Sequence, residues 1–352
     1  MYNNVRVLDV HGHVSVPFSA NALLVLMMGS NTPMASPIGQ EKAGPAGVTL
    51  EDFRAAALGH AKYMDDRNID VQIIGPRPFL MLGWMEPHLL PAWTRYVNDM
   101  IHQQCQMVPD RFLGAAMLPQ LSDAPDLSNC LDELNRCVTE LGFAAAYLSP
   151  DPAGRRTTPG MHEPYWYPVY ARAQELGIPL IVHGTNSLDP RFRVVPHNYQ
   201  LGFYTEQYLA GQFLSHGDVF ERFPELKVII CHCGGGLDRF IPTDPHIAQK
   251  DLTENLFYDT CAYDLNFLEA AIKQRGVPRL LFGTEAPGSG RAVRPETGRT
   301  SDDLVPIIGA FDFITEDDKI KIFNENPARV IPALAKVRLQ CWPTTVLADS
   351  AG

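Results

Sequence analysis

The sequence predicts an α/β fold, a (β/α)8 TIM barrel, and three observations lead there. Eight short apolar runs recur along the chain, segments of helical period separate them, and no GxGxxG turn follows the first run. Near-continuous apolar strands alternating with helices belong to a parallel sheet covered on both faces. Eight such units point to a closed barrel rather than an open doubly wound sheet. The missing glycine fingerprint removes the main argument for a dinucleotide fold.

Taken in order, the first run, Val5–Val10, leads into Asp9-Val10-His11-Gly12-His13. Residues Ser15–Leu50 then break the rhythm. Rich in Gly, Pro, Ser and Met, they form an insertion where a lid over the active face belongs. Asp70–Gly75 and Phe112–Leu118 are the second and third strands. Helical periodicity follows over Leu127–Leu141, aligning Leu127, Cys130, Leu131, Leu134, Cys137, Val138 and Leu141 on one face, so both thiols read as small core hydrophobes. Gly142 stops that helix before the fourth strand, Phe143–Leu148. Gly177 stops the next, around Tyr165–Leu176, before the fifth, Ile178–His183. A helix around Phe203–Phe213 precedes the sixth strand, Leu226–His232. The seventh, Leu256–Asp259, and a helix around Leu265–Lys273 precede the eighth, Leu280–Thr284. The Gly- and Pro-containing loop 286–301 comes next. A single barrel therefore spans residues 1–336, with 337–352 as a C-terminal tail.

Composition narrows the function classes. The 352 residues are 45% hydrophobic and 20% charged, an ordinary globular mixture. With 29 basic against 40 acidic residues the net charge is −11, and no Lys/Arg run offers a surface for nucleic acid or an anionic membrane. No stretch approaches the ~18 apolar residues of a membrane span. Charged residues arrive too early for a signal-peptide core, so a soluble, cytoplasmic protein is expected. Seven cysteines without CxxC spacing read as reduced thiols.

The residues that carry chemistry sit at strand ends. His11 and His13 are two apart, so in a strand they point the same way and can converge on one ion, although such a pair also fits a merely polar strand end. His183 and His232 end strands five and six, and Glu285 follows strand eight. Four imidazoles and a carboxylate gathered on one barrel face need a cation or a substrate between them.

That spacing, together with Thr284-Glu285-Ala286-Pro287, resembles the amidohydrolase superfamily over roughly Val5 to Pro332. Within it the chain looks like the aromatic-catabolism branch of decarboxylases, hydratases and C–C hydrolases. Most members of that branch carry aspartate in an FGSD- or FGTD-like motif, whereas this chain has Phe282-Gly283-Thr284-Glu285. Glutamate there is similar to the 4-oxalomesaconate hydratase subgroup and to a related zinc C–C hydrolase. Asn135–Phe143, Ser149–Gly154, Tyr165–Pro168, Gly211-Gln212, Asp259–Cys261 and Pro295–Gly298 with Asp302-Asp303 also look like hydratase segments. Residues 15–50 and those after Gly236 match that pattern poorly.

The resemblance implies one Zn2+, or Mn2+ in its place, held by His11, His13, His183 and Glu285. It makes His232 a general acid/base, leaves Glu285 as ligand, base or both, and sets Tyr199 beside the metal. Arg77 and Arg291 become the carboxylate-binding residues, with Arg191, Arg193 and Arg294 as lesser additions more often found as surface charges. Trp84, Tyr165 and Trp166 read as core aromatics before substrate contacts. The implied reaction is hydration of the C=C bond of an unsaturated oxo-di- or tricarboxylate. The alternatives are hydrolysis of a C–C or C–N bond in a ring-cleavage product and nonoxidative aromatic decarboxylation. A homo-oligomer, dimer or higher, is expected, with the apolar stretch Leu23–Met28 at its interface.

Overall fold

The eight strands lie side by side in chain order, every adjacent pair parallel. They are β1 (Leu8–His13), β2 (Val71–Gly75), β3 (Phe112–Ala116), β4 (Ala145–Leu148), β5 (Leu180–Val182), β6 (Val228–Ile230), β7 (Leu256–Asp259) and β8 (Leu280–Leu281). Two backbone hydrogen bonds bring the end of the sheet back to its start: Val10 N–H donates to the Phe282 carbonyl and Glu285 N–H to that of His11. The result is the (β/α)8 barrel that the alternation of elements predicts. These coordinates are a computed structural model describing residues 1–16, 49–194, 200–239 and 250–337. Nearly all of the 15–50 insertion, Tyr199, the Leu23–Met28 stretch and the tail beyond Val337 lie outside the described residues.

Helices α1 (Leu50–Asp65), α2 (Leu90–Met107), α3 (Leu131–Thr139), α4 (Tyr167–Leu176), α5 (Gln200–His216) and α6 (Leu265–Arg275) alternate with the strands. Local chemistry sets their ends. Thr49 and Asp52 exchange side-chain and backbone hydrogen bonds in a capping box that starts α1. Gly177, at φ 65° and ψ 30°, closes α4 in the left-handed conformation, its N–H donating to the Ala173 and Gln174 carbonyls. Short helices from Val305 to Lys336 follow β8. Among the described residues, no helix is long and apolar enough to cross a membrane.

Every strand residue but Leu113 is buried, as a sheet covered on both faces requires. Cys130 and Cys137 are core, and so are Trp166 and Tyr165, whose Nε1–H and hydroxyl donate to the carbonyls of Pro159 and Leu121. The strands differ from their apolar runs at the ends. β1 begins three residues later than its run and continues through both histidines, whereas β5, β6 and β8 stop short. The backbone leaves the ladder just where polar side chains must be re-aimed. His232, Cys233 and Glu285 all take positive φ, between 54° and 58°.

Candidate metal centre

β1 supplies His11 and His13, separated by Gly12, and the register with β2 is irregular between Asp9 and Gly12. His183 follows β5 directly, His232 lies two residues beyond β6, Asp259 ends β7, and Glu285 follows β8. All are buried, and all sit at the C-terminal mouth where barrel loops assemble catalytic sites.

The rings of His11, His13 and His183 are mutually 5.1 Å apart between centroids, edge to face, and His232 stands 5.0 Å from both His11 and His183. Hydrogen bonds to Nδ1 orient each ring. His13 and His183 donate from Nδ1 to the carbonyls of Pro76 and Gly184, at 2.8 and 2.7 Å. His11 Nδ1 bonds Asp259 Oδ2 at 2.7 Å, and His232 Nδ1 meets the Gln207 amide at 3.0–3.1 Å. The opposite nitrogen, Nε2, is buried in all four rings and has no hydrogen-bond partner among the described residues. A buried orphan nitrogen is costly. Three of them, on His11, His13 and His183, turned inward beside the Glu285 carboxylate form a donor set that a cation would satisfy, with His232 alongside.

Ligand atoms of His11, His13, His183 and Glu285 all lie within 4.8 Å of one another, a span that one ion with bonds of about 2.0–2.2 Å can gather with small side-chain adjustments. Three imidazoles and a carboxylate suit a borderline divalent metal. The His11–Asp259 pair is the carboxylate–histidine arrangement that fixes the tautomer of a metal ligand.

Glu285 divides its two oxygens. Oε1 faces His13 Nε2 at 3.5 Å, while Oε2 accepts from Ser289 Oγ at 2.7 Å and the Tyr263 hydroxyl at 3.3 Å and lies 3.8 Å from His232 Nε2. Burial raises its pKa, but the His13 and His232 imidazoles beside it outweigh that and hold the carboxyl well below the usual range. Burial, reinforced by the neighbouring imidazoles, drives His183 well below its ordinary value. Burial likewise brings His13 to about 4, so both offer neutral lone pairs. His11 moves upward: burial lowers it, yet the Asp259 hydrogen bond and charge prevail.

A buried brace joins the two ends of the ligand set. Asp9 Oδ1 accepts from His11 N–H and Thr284 N–H, and Oδ2 from Thr284 Oγ1 and Gln72 Nε2. Gln72 also donates to the Ala286 carbonyl and accepts from His60 Nε2, and His60 Nδ1 takes hydrogen bonds from Ser15 and Gln104.

The other anticipated residues fall less uniformly. Arg77 is half-buried beside the centre, its charge among the causes that lower His13, and its guanidinium donates to the carbonyls of Val14 and Pro287. Arg291 is exposed, and its charge is felt at Tyr63 in α1. Arg191 is an exposed partner of Asp189. Arg294 departs from a surface charge: it is 8% exposed and donates to the Ser301 carbonyl, bracing the loop after β8. Among the described residues, the phenols of Tyr263 and Tyr204 approach the centre. Tyr263 bonds Glu285, and the Tyr204 ring stands 5.2 Å from His232. Asp259 had a readable signal, a polar residue ending an apolar strand, the same that marks His183 and His232. Gln72 and Gln207 had none.

Comparison with known proteins agrees with this geometry. Residues 8–333 match the family described as Amidohydrolase. A 2-keto-4-carboxy-3-hexenedioate hydratase of Sphingobium sp. (strain SYK-6) is 30% identical over 344 residues, 94% of this chain and 97% of its own. A gamma-resorcylate decarboxylase of Rhodococcus jostii is 28% identical over 253 residues, covering 64% of this chain and 75% of its own. The crystal structure of 4-oxalomesaconate hydratase from Rhodopseudomonas palustris superposes with a TM-score of 0.74 at 28% identity, covering 94% of this chain and 97% of that one.

Proposed function

The chain belongs to the amidohydrolase family and is an enzyme, and from that premise we propose that it is a zinc-dependent hydratase. Its substrate on this reading is an unsaturated oxo-di- or tricarboxylate of aromatic catabolism, such as 4-oxalomesaconate. Likeness to hydratases over nearly the full length of both chains supports the reaction class. The observation that carries the chemistry is the pairing of His232 Nε2 with Glu285 Oε2 across 3.8 Å, both turned into the space bounded by the orphan imidazoles.

A divalent ion held by His11, His13, His183 and Glu285 supplies Lewis acidity that brings the pKa of a water toward neutrality. Zn2+ fits this donor set best, with Mn2+ as the alternative. Glu285 then serves in two ways: Oε1 faces the ligand set, and Oε2, already ionised and aligned by Ser289 and Tyr263, takes the proton of the attacking water. His232, steered by Gln207, delivers a proton to the substrate carbon or enolate oxygen as the C–O bond forms. Arg77 stands where it can meet a substrate carboxylate beside the metal, and Arg291 lies on the exposed loop above. We assign Tyr199 the hydrogen bond to the substrate carbonyl. We infer that the enzyme works in the cytoplasm as a homo-oligomer, a dimer or higher.

The test is to incubate metal-replete enzyme with 4-oxalomesaconate while following loss of ultraviolet absorbance and product mass. Hydration yields one product heavier by one water. Two fragments would assign hydrolysis instead, and release of CO2 would assign decarboxylation, the activity of the shorter-matching relatives.

A further inference from the structure

One thiol at the mouth of the barrel has no part in the chemistry above. Cys261 lies two residues beyond the end of β7, 2% exposed, and its Sγ stands 3.7 Å from the Tyr263 hydroxyl. Ligand atoms of Cys261, His11 and His232 all lie within 4.8 Å of one another. Both histidines are at least 97% buried, and the Nε2 of each has no hydrogen-bond partner among the described residues. Cys231 forms a comparable group with His11 and Asp259, but the 2.7 Å His11–Asp259 hydrogen bond already accounts for that one.

We propose that His11, His232 and Cys261 form a second position for a thiophilic divalent cation softer than Zn2+, of the class of Cd2+. It excludes occupation of the position built by His11, His13, His183 and Glu285, because Asp259 engages one nitrogen of His11 and a single nitrogen remains for a metal. The donor sets differ in softness. Three imidazoles and a carboxylate accept borderline and harder ions, whereas two imidazoles and a thiolate favour softer ones. Without an ion the thiol is inert, since burial, followed by the Asp259 and Glu285 charges, holds its proton well above the ordinary thiol range. Binding forms a sulfur–metal bond and releases the thiol proton to solvent. An ion there removes His11 from the first position and occupies the nitrogen with which His232 moves a proton.

The experiment reads metal binding and not turnover, so its outcome is independent of the hydratase assignment. Metal-free enzyme is titrated with Cd2+ alone while thiolate-to-metal charge-transfer absorption is recorded. The wild type is expected to develop the band of one sulfur per ion, Cys231→Ser to retain it, and Cys261→Ser to lose it while still binding one Cd2+ through the first position. Displacement of bound Zn2+ by Cd2+ is expected to need about tenfold more Cd2+ in Cys261→Ser. A band that survives Cys261→Ser, or Cd2+ saturation of the wild type without one, overturns the proposal. Should Cys261→Ser not fold, cadmium NMR of the wild type decides: a resonance in the sulfur-ligated range supports the site, and one in the nitrogen/oxygen range overturns it.

Discussion

Glu285 carries a backbone φ of 58°, a conformation that a glutamate adopts only when its surroundings impose it. Here the imposing contact is its N–H on the His11 carbonyl, which fixes where the two carboxylate oxygens point. Glu285→Gln keeps the shape and removes the charge. Turnover of the metal-replete variant is expected to fall by about 10²–10⁴, with the circular dichroism spectrum unchanged. His232→Asn should lose turnover on a similar scale while retaining its metal, as metal analysis of the two variants side by side would reveal. Asp259 acts one step removed, through His11 Nδ1. Asp259→Asn should weaken metal affinity by about 10–100-fold, read by competition with a chelator. At this scale the ligand types were legible in the sequence, because a two-residue spacing in a strand already aims both imidazoles one way. The orienting partners were not, since Asp259 and Gln207 meet their histidines across 248 and 25 residues.

Between elements, the closeness of β1 to β2 depends on Gly12. A Cβ built there lands within the Gln72 side chain, which ties Asp9, the Ala286 carbonyl and His60 together. Gly12→Ala is expected to destabilise the fold by about 1–3 kcal/mol in urea unfolding, and to weaken metal binding along with it. Strand order and most helices follow from periodicity, and α3, α4, α5 and α6 fall where the pattern puts them. The strand ends do not follow. β8 keeps only Leu280 and Leu281 in the ladder, because Thr284 turns to Asp9 and Glu285 to His13 and His232 instead of continuing the pairing.

For the molecule as a whole, the centre links ligand binding to stability. With the Nε2 atoms of His11, His13 and His183 unsatisfied, the metal-free enzyme lacks interactions that a bound ion would restore. Metal at a hundredfold excess over Kd adds about 2.7 kcal/mol. Chelation is therefore expected to lower Tm by a few degrees in calorimetry, and added Zn2+ to restore it. Acid acts through His60, 2% exposed, which burial pushes down to about 3. As pH falls below 6.5 the unfolded chain takes up a proton that the folded His60 refuses. Its contribution is complete above 6.5 and lost progressively toward 3. His60→Gln, which cannot titrate, should show a shallower decline in urea stability between pH 6.5 and 4 than the wild type.

The sequence by itself determined the barrel, the strand ends that carry histidine and carboxylate side chains, and the donor types those ends present. All three are short-range properties: hydrophobic period, strand alternation and donor type. Only the tertiary structure decided which nitrogen of each histidine faces inward, how Glu285 divides its oxygens, and that Arg77 leans on the carbonyls of Val14 and Pro287. Those outcomes depend on closure of the sheet, which brings Asp9 onto Thr284 across 275 residues. Hydrogen bonds of that reach leave no periodic trace along the chain.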